Sequence, residues 1–229
     1  VQKNSNEFYH TWKNGKASHP AFLDDYAFLI QALIQLQEIT GNTIYLLKAK
    51  EIVQFVIENY KEEAGCFFYY THQQQTDLII RKKEVYDGAL PSGNAIMADN
   101  LHRLAIYFDL PIWKKMSSDA LNNLSKTIIN YPTSFGIWAC LLLEQMDGTN
   151  EIAIVGTNAN ELLSEILSKY IPHKLVMSSV IENEAFPVLK GKKQESGKSI
   201  FLCKNYSCKN PVASAEELLA IISSKQLPL

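Results

Sequence analysis

The feature that most restricts how this chain folds is an alternation between two kinds of helical pattern. From Phe22 to Thr40, residues Phe22, Tyr26, Leu29, Leu33 and Leu36 form one apolar stripe, and Leu23, Ala27, Ile30 and Ile34 form a second beside it. A helix that is apolar around most of its girth is buried on several sides. The next helix, about 43–60, keeps a single stripe (Tyr45, Ala49, Ile52, Val53, Val56, Tyr60) and turns Lys48, Lys50, Glu51, Gln54 and Glu58 to water. The alternation continues. Residues 94–108 are rich in apolar positions, 112–129 are amphipathic through Trp113, Met116, Ala120, Leu121, Leu124 and Ile128, and 134–145 are apolar almost throughout. The order inner, outer, inner, outer, inner predicts antiparallel helix pairs, with inner helices wrapped by outer ones.

Connections add a polarity to this arrangement. Thr40-Gly41-Asn42 and Asp109-Leu110-Pro111 are tight, with Gly41 supplying a stop signal. The segment from Lys61 to Gly93 is long, and its runs Cys66 to Thr71 and Asp77 to Arg81 read as a β-hairpin inserted near 65–81. Long loops gathered at one end of a scaffold are where function sits. Near Asn150 the periodicity changes. Ile152 to Gly156 reads as a buried strand and turn, 160–170 as a helix, Lys174 to Val180 as a second strand, Phe201-Leu202 as part of a third, and Ala215 to Ser223 as a last helix capped by Ser214. The expected fold is mainly α over 1–149, followed by a small α/β unit with parallel strands over 150–229.

Composition excludes several functions. Twenty-two Lys and Arg against 24 Asp and Glu leave a net charge of −2, too little positive charge for a nucleic-acid surface. No run of about 18 uncharged apolar residues suggests a membrane span, and the polar start shows no signal peptide. Val1 in place of Met suggests a fragment. Four cysteines (Cys66, Cys140, Cys203, Cys208) are too scattered for a disulfide framework, which favours a reducing, cytoplasmic setting.

Candidate site residues follow from the loop-bearing end. Asp24 and Asp25, with Tyr26 beside them, open the first inner helix; Asp87 to Asn94 opens the second; Tyr131 to Ser134 opens the third. Converging helix N-termini would surround one cavity with carboxylates, hydroxyls and an amide. Paired carboxylates supply the acid and base of glycoside hydrolysis or sugar epimerisation. The catalytic candidates are Asp24, Asp25 and Asp87; the substrate-binding candidates are Tyr26, Arg81, Glu84, Ser92, Asn94 and His102. Helix capping accounts for Asp24, Asp25, Ser92 and Asn94 more readily than a pocket role does, and an ion-pair network that orders the loop accounts for Arg81 and Glu84 more readily than substrate contact. The five histidines lack metal-ligand spacing, so neither metal nor cofactor is expected. Cys203 and Cys208 lack the Cys-x-x-Cys redox spacing. They read as ordinary free thiols before they read as a reversible pair.

Taken in order, Ala21 to Leu29 (AFLDDYAFL), Arg81 with Lys83-Glu84, Asp87-Gly88-Ala89, Pro91-Ser92-Gly93-Asn94, and Cys203 to Cys208 followed by Pro211 resemble the YyaL-like thioredoxin-domain-containing proteins. That family includes the spermatogenesis-associated thioredoxin-like proteins, and the match runs from Trp12 to Leu219. The resemblance implies a larger protein, with an N-terminal thioredoxin-like domain and an (α/α)6 toroid similar to N-acylglucosamine 2-epimerases and six-hairpin glycosidases. This chain then corresponds to about half the ring, the C-terminal part. Two functions compete. One is a carbohydrate-binding or carbohydrate-converting pocket for a sugar or other small polar ligand. The other is a non-catalytic scaffold for the thioredoxin-like domain and first hairpins. The redox variant requires Cys203 and Cys208 to exchange disulfides with that domain.

Overall fold

A computed structural model describes residues 6–75, 79–205 and 207–224. The fold is mainly helical with a small α/β part, and divides into two compact units. The first comprises residues 1–35, 43–105 and 110–143; the second comprises 36–42, 106–109 and 144–229.

The first unit opens with a hairpin, β1 (Tyr9–Lys13) against β2 (Lys16–Pro20), in the register Thr11↔Ser18 and Lys13↔Lys16. Its two-residue turn, Asn14-Gly15, has φ of 51° and 73°. Positive φ at both positions is the backbone of the tight turn that matches strand twist, and Asn-Gly is the dipeptide that adopts it at least cost. The helices follow: α1 (Leu23–Thr40), α2 (Ile44–Tyr60), α3 (Gly93–Phe108), α4 (Pro111–Asn130), a 3-10 turn (Pro132–Ser134) and α5 (Gly136–Asp147).

Helix α3 is the centre of this unit. Along it, every residue except Asp99, Arg103 and Phe108 is buried, and Asp99 and Arg103 satisfy each other as an i,i+4 ion pair at 3.1 Å. Asn100 Nδ2 donates to the Ala27 carbonyl of α1 at 2.8 Å, and Ser117 Oγ of α4 donates to Ala98 O at 2.7 Å. Ala95 and Ala98 then pack with Ala120, Leu121 and Ile128 of α4 and Trp138 and Leu141 of α5. Small residues at these positions let two helices approach one side of α3.

The outer helices follow their single stripes. Helix α2 buries Leu46, Ala49, Ile52, Val53, Val56 and Tyr60; α4 buries Trp113, Ser117, Ala120, Leu121 and Ile128. The expectation that all three inner helices are enclosed holds for α3 and fails for the other two. On α1 the stripe Leu23, Ala27, Ile30, Ile34 is buried, while Leu36 and Ile39 are exposed. On α5, Trp138 and Leu141 are buried, while Leu143 and Met146 are exposed. Helix α3 has helices on several sides, whereas the second stripe of α1 is covered at its start, where Tyr26 meets Phe8, Phe55 and Tyr60, and is exposed toward Leu36 and Ile39.

Residues 61–75 and 79–92 form a loop in which the expected β-hairpin near 65–81 is absent among the described residues; of its second run, Asp77 to Arg81, Asp77 and Leu78 lie outside them. A lone bridge joins Lys61 and Phe68, and Tyr70 N donates to Lys82 O at 2.8 Å. Side chains hold the loop instead of a ladder. Glu62 accepts from Phe67 N at 2.9 Å and pairs with Lys83, and Trp138 Nε1 donates to Val85 O at 2.9 Å.

The second unit holds a four-stranded sheet of order β4-β3-β5-β6: β3 (Asn150–Val155), β4 (Lys174–Ser179), β5 (Ile200–Lys204) and β6 (Ser207–Cys208). Strands β3 and β4 are parallel and joined through α6 (Ala159–Leu167), while β5 runs antiparallel to β3. Every residue of β3 is buried, the apolar run Ile152 to Val155 as a central strand requires, with the polar Asn150 and Glu151 before it. Ile152, Ile154, Leu163, Ile166 and Val176 pack with Leu218 of α7 (Ala215–Ser223), whose N-cap Ser214 accepts from Glu217 N at 3.3 Å. Within this unit the polar groups of Val176 on β4 meet side chains from the ends of α1 and α3. Val176 N donates to Glu38 Oε1 at 3.4 Å, and Val176 O accepts from Gln37 Nε2 at 3.4 Å and the Tyr107 hydroxyl at 3.3 Å. Among the described residues no helix is long and apolar enough to cross a membrane.

Trp138 joins apolar burial to a loop hydrogen bond, so truncation should be costly. Trp138→Ala is expected to lower unfolding free energy by about 3–5 kcal/mol. Trp138→Phe, which keeps much of the apolar contact and leaves Val85 O unpaired, should cost about 1–3 kcal/mol. Urea unfolding followed by circular dichroism measures both.

Candidate functional site

The starts of α1, α3 and α5 leave backbone N–H groups without helical partners, and acidic side chains satisfy them. At α1, Asp25 Oδ2 accepts from Phe22 N at 2.8 Å, the N3-to-N-cap half of a capping box. The same carboxylate meets His10 Nδ1 of β1 at 2.8 and 3.0 Å. At α3, Ser92 Oγ accepts from Ala95 N at 3.2 Å as an N-cap. Asp87 serves two helices: Oδ1 accepts from Ser92 N and Oδ2 from Ile137 N, both at 2.9 Å. It thus ties the start of α3 to the start of α5.

Asn94 does similar work on the loop. Its Oδ1 accepts from Phe68 N at 2.7 Å, and its Nδ2 donates to Phe68 O at 3.0 Å and Glu84 O at 2.7 Å. Arg81 donates to Thr71 O from Nε at 3.2 Å and Nη2 at 2.6 Å, with its guanidinium 4.0 Å over the Tyr69 ring. Burial lowers its pKa. Asp25, Asp87, Ser92, Asn94 and Arg81 therefore all hold backbone in place.

Asp24 differs. It sits half-buried in the first turn of α1, against the first residue of α3. A Cβ placed on Gly93 would stand 2.3 Å from Asp24 Oδ1, so glycine is what allows this approach. Burial raises the Asp24 pKa, Asp25 and Glu84 add to the rise, and the Gly93 amide works against it. The phenol of Tyr70 belongs to the same group: burial pushes it up, with Asp24, Asp25 and Glu84 contributing. Tyr70 is placed by its backbone, since Tyr70 O accepts from Leu23 N at 2.9 Å, and by its ring, which stacks on Phe22 at 4.8 Å. Tyr70 lies in the run Cys66 to Thr71 that the sequence reads as a strand; its contact with the start of α1 depends on how that segment folds back.

The candidates thus separate. Asp24, Asp25 and Glu84 come together around Tyr70. Asp87, Ser92 and Asn94 stand at the adjoining helix starts in capping and loop-holding positions. Tyr26 is buried and stands apart from that group, lining a cavity of about 210 Å³ with Phe8, Tyr60, His72 and Gln74, its hydroxyl accepting from Phe8 N at 3.2 Å. Burial raises its pKa too. His102 lies buried in the middle of α3, eight residues beyond Asn94 and so roughly 12 Å further along the helix. Among the described residues no cluster of three or more His, Cys, Asp or Glu is arranged to hold a metal ion. In the second unit, Cys203 and Cys208 form a disulfide, which corrects the expectation of free thiols. Their spacing is not that of a helical redox motif; pairing of β5 with β6 is what brings them together.

Two outcomes follow. Asp87→Ala should lower stability by about 2–4 kcal/mol, because two charge-assisted hydrogen bonds and two caps are lost; chemical denaturation reads this directly. Asp24 has its folded-state pKa above its ordinary value of 3.8. The folded protein therefore holds that proton more tightly than the unfolded chain. The group's contribution to stability is fully present below the unfolded pKa and is lost as pH rises through the folded pKa. Asp24→Asn should accordingly gain stability over wild type at pH 7 and match it near pH 3, as read from urea midpoints across pH.

No protein-family model matches the chain. It is 28% identical over 213 residues to an uncharacterised protein of Caenorhabditis elegans, covering 90% of this chain and 29% of that protein. It is 26% identical over 214 residues to spermatogenesis-associated protein 20 of Rattus norvegicus, covering 88% of this chain and 27% of that protein. The Homo sapiens protein of the same name is 24% identical over 212 residues, with 88% and 27% covered. The chain spans less than a third of the length of the curated relatives it matches. Similarity extends over nearly nine-tenths of the chain, and it runs to the spermatogenesis-associated proteins that the motifs from Ala21 to Pro211 resemble.

Proposed function

We propose that this chain is the C-terminal part of a longer protein akin to spermatogenesis-associated protein 20, and that the loop-bearing starts of α1, α3 and α5 form one wall of a pocket for a sugar or similar polyhydroxylated ligand. Asp24 carries this reading. It is half-buried, its pKa is raised, and its neighbours are a phenol and two further carboxylates. A carboxyl with a raised pKa gives up a proton to a hydroxyl or glycosidic oxygen at a pH where an ordinary surface aspartate has already lost its own. Tyr70 and Phe22 offer a stacked aromatic face beside it, and Glu84 supplies a second carboxylate. The reaction class is epimerisation, isomerisation or hydrolysis, and the remaining wall comes from the longer protein.

A second reading has its own observation. Asp25, Asp87, Ser92 and Asn94 all fix helix starts or the 61–92 loop, which suits a non-catalytic scaffold for the thioredoxin-like domain of the same protein. The full-length protein separates the two. On the catalytic reading, at least one member of a panel of neutral and amino sugars raises its melting temperature, and Asp24→Asn slows turnover by about 10²–10⁴-fold without lowering stability. If no sugar shifts the melting temperature, or if Asp24→Asn turns over like wild type, the scaffold reading stands in its place.

A further inference from the structure

The Cys203–Cys208 bond lies outside the site above and has the features of reactive chemistry more than those of a staple. The two residues face each other across β5 and β6 with Cα atoms 3.9 Å apart. Lys209 N donates to Leu202 O at 2.9 Å immediately alongside, so the backbone holds the pair in register. The positions are five apart in sequence. Closing so short a loop removes little freedom from the unfolded chain, the source of most disulfide stabilisation. The partners are also unequal: Cys203 is buried in the sheet, and Cys208 is exposed. Cys208 opens onto a surface cleft with Lys198, Lys209, Pro211 and Glu217; Cys203 lines a second with Lys204 and Lys209. Lysines line both clefts, with the Lys204 ammonium held by Asp147, and a basic lining favours the approach of a thiolate.

We propose that Cys203–Cys208 is a thiol–disulfide exchange site whose substrate is a dithiol, attacked at Cys208. An incoming thiolate bonds to Cys208 Sγ, the Cys203–Cys208 bond breaks, and Cys203 leaves as a thiolate that takes up a proton. The second thiol of the donor attacks its own mixed-disulfide sulfur, releasing Cys208 and leaving the donor oxidised. Two electrons and two protons pass from the dithiol to this chain. Because the register of β5 and β6 persists without the bond, the reduced pair remains poised to re-form it.

The test equilibrates the chain in glutathione buffers of stepped reduced-to-oxidised ratio, with alkylation and peptide mass mapping. Cys66 and Cys140 are free thiols and serve as internal references. Expected is a joint, reversible appearance of thiols at 203 and 208, with melting temperature changed by only a few degrees. In single variants, Cys203→Ser should form a glutathione mixed disulfide at least about tenfold faster than Cys208→Ser, since only the former leaves an exposed thiol. Wild-type mapping needs neither variant to fold. A bond that survives the most reducing buffer, a fold that collapses on reduction, thiols that do not re-pair, or equal rates in the two variants each overturn the proposal.

Discussion

Asp87 gives one carboxylate oxygen to the start of α3 and the other to the start of α5. Helix starts carry unsatisfied N–H groups and partial positive charge, and bringing two of them together sets like dipole ends side by side. A single anion between them resolves both problems. It also sets the spacing at which Ala95 and Ala98 meet Trp138, so that side of the α3 core depends on it. Trp138 in turn holds Val85, two residues before Asp87, which closes a circuit between helix start, core and loop.

The acids of this end differ in what they do for the fold. Asp25 and Asp87 accept backbone hydrogen bonds that hold helix starts in place. Asp24 is held where burial and two acidic neighbours oppose its charge. A residue kept at a net cost to folding is a marker of function when it lies in a cluster with other titratable groups. Gly93 is part of the same arrangement, since any side chain there would displace the carboxylate.

How much was legible in the sequence varied with range. The single stripes of α2 and α4 and the continuous apolar run of β3 were readable, because local periodicity reports directly which face is buried. The exposure of Leu36, Ile39, Leu143 and Met146 was not, since apolar residues show what a helix can bury and not whether a neighbour is present. The hairpin at 9–20 has one local signal, Asn14-Gly15, and its short strands lack the apolar alternation that would mark them as a sheet. The aromatic run 66–71 suggested strands, but its backbone groups are satisfied by Tyr60, Lys82 and the Asn94 amide, contacts set by tertiary structure. In the site, residue types at helix starts were readable as candidates. Which of them cap and which one is left with a raised pKa depends on atoms far apart in sequence, as with Asp87 and Ile137, 50 residues apart. The disulfide was hidden for a related reason: five positions of separation say nothing until β6 is known to pair with β5.

The side chains gathered on Val176 carry one more consequence. Strand β4 ends the sheet on one side, and an unpaired edge is a template for a foreign strand. Glu38, Gln37 and Tyr107 occupy the donor and acceptor of its middle residue, so an approaching chain would have to displace three side chains to gain the first pair of ladder bonds. At the opposite end β6 is two residues long and is followed within three positions by Pro211, which has no N–H to offer. The sheet is finite by design at both margins, and its unit resists lengthening by strand addition and the self-association that begins that way.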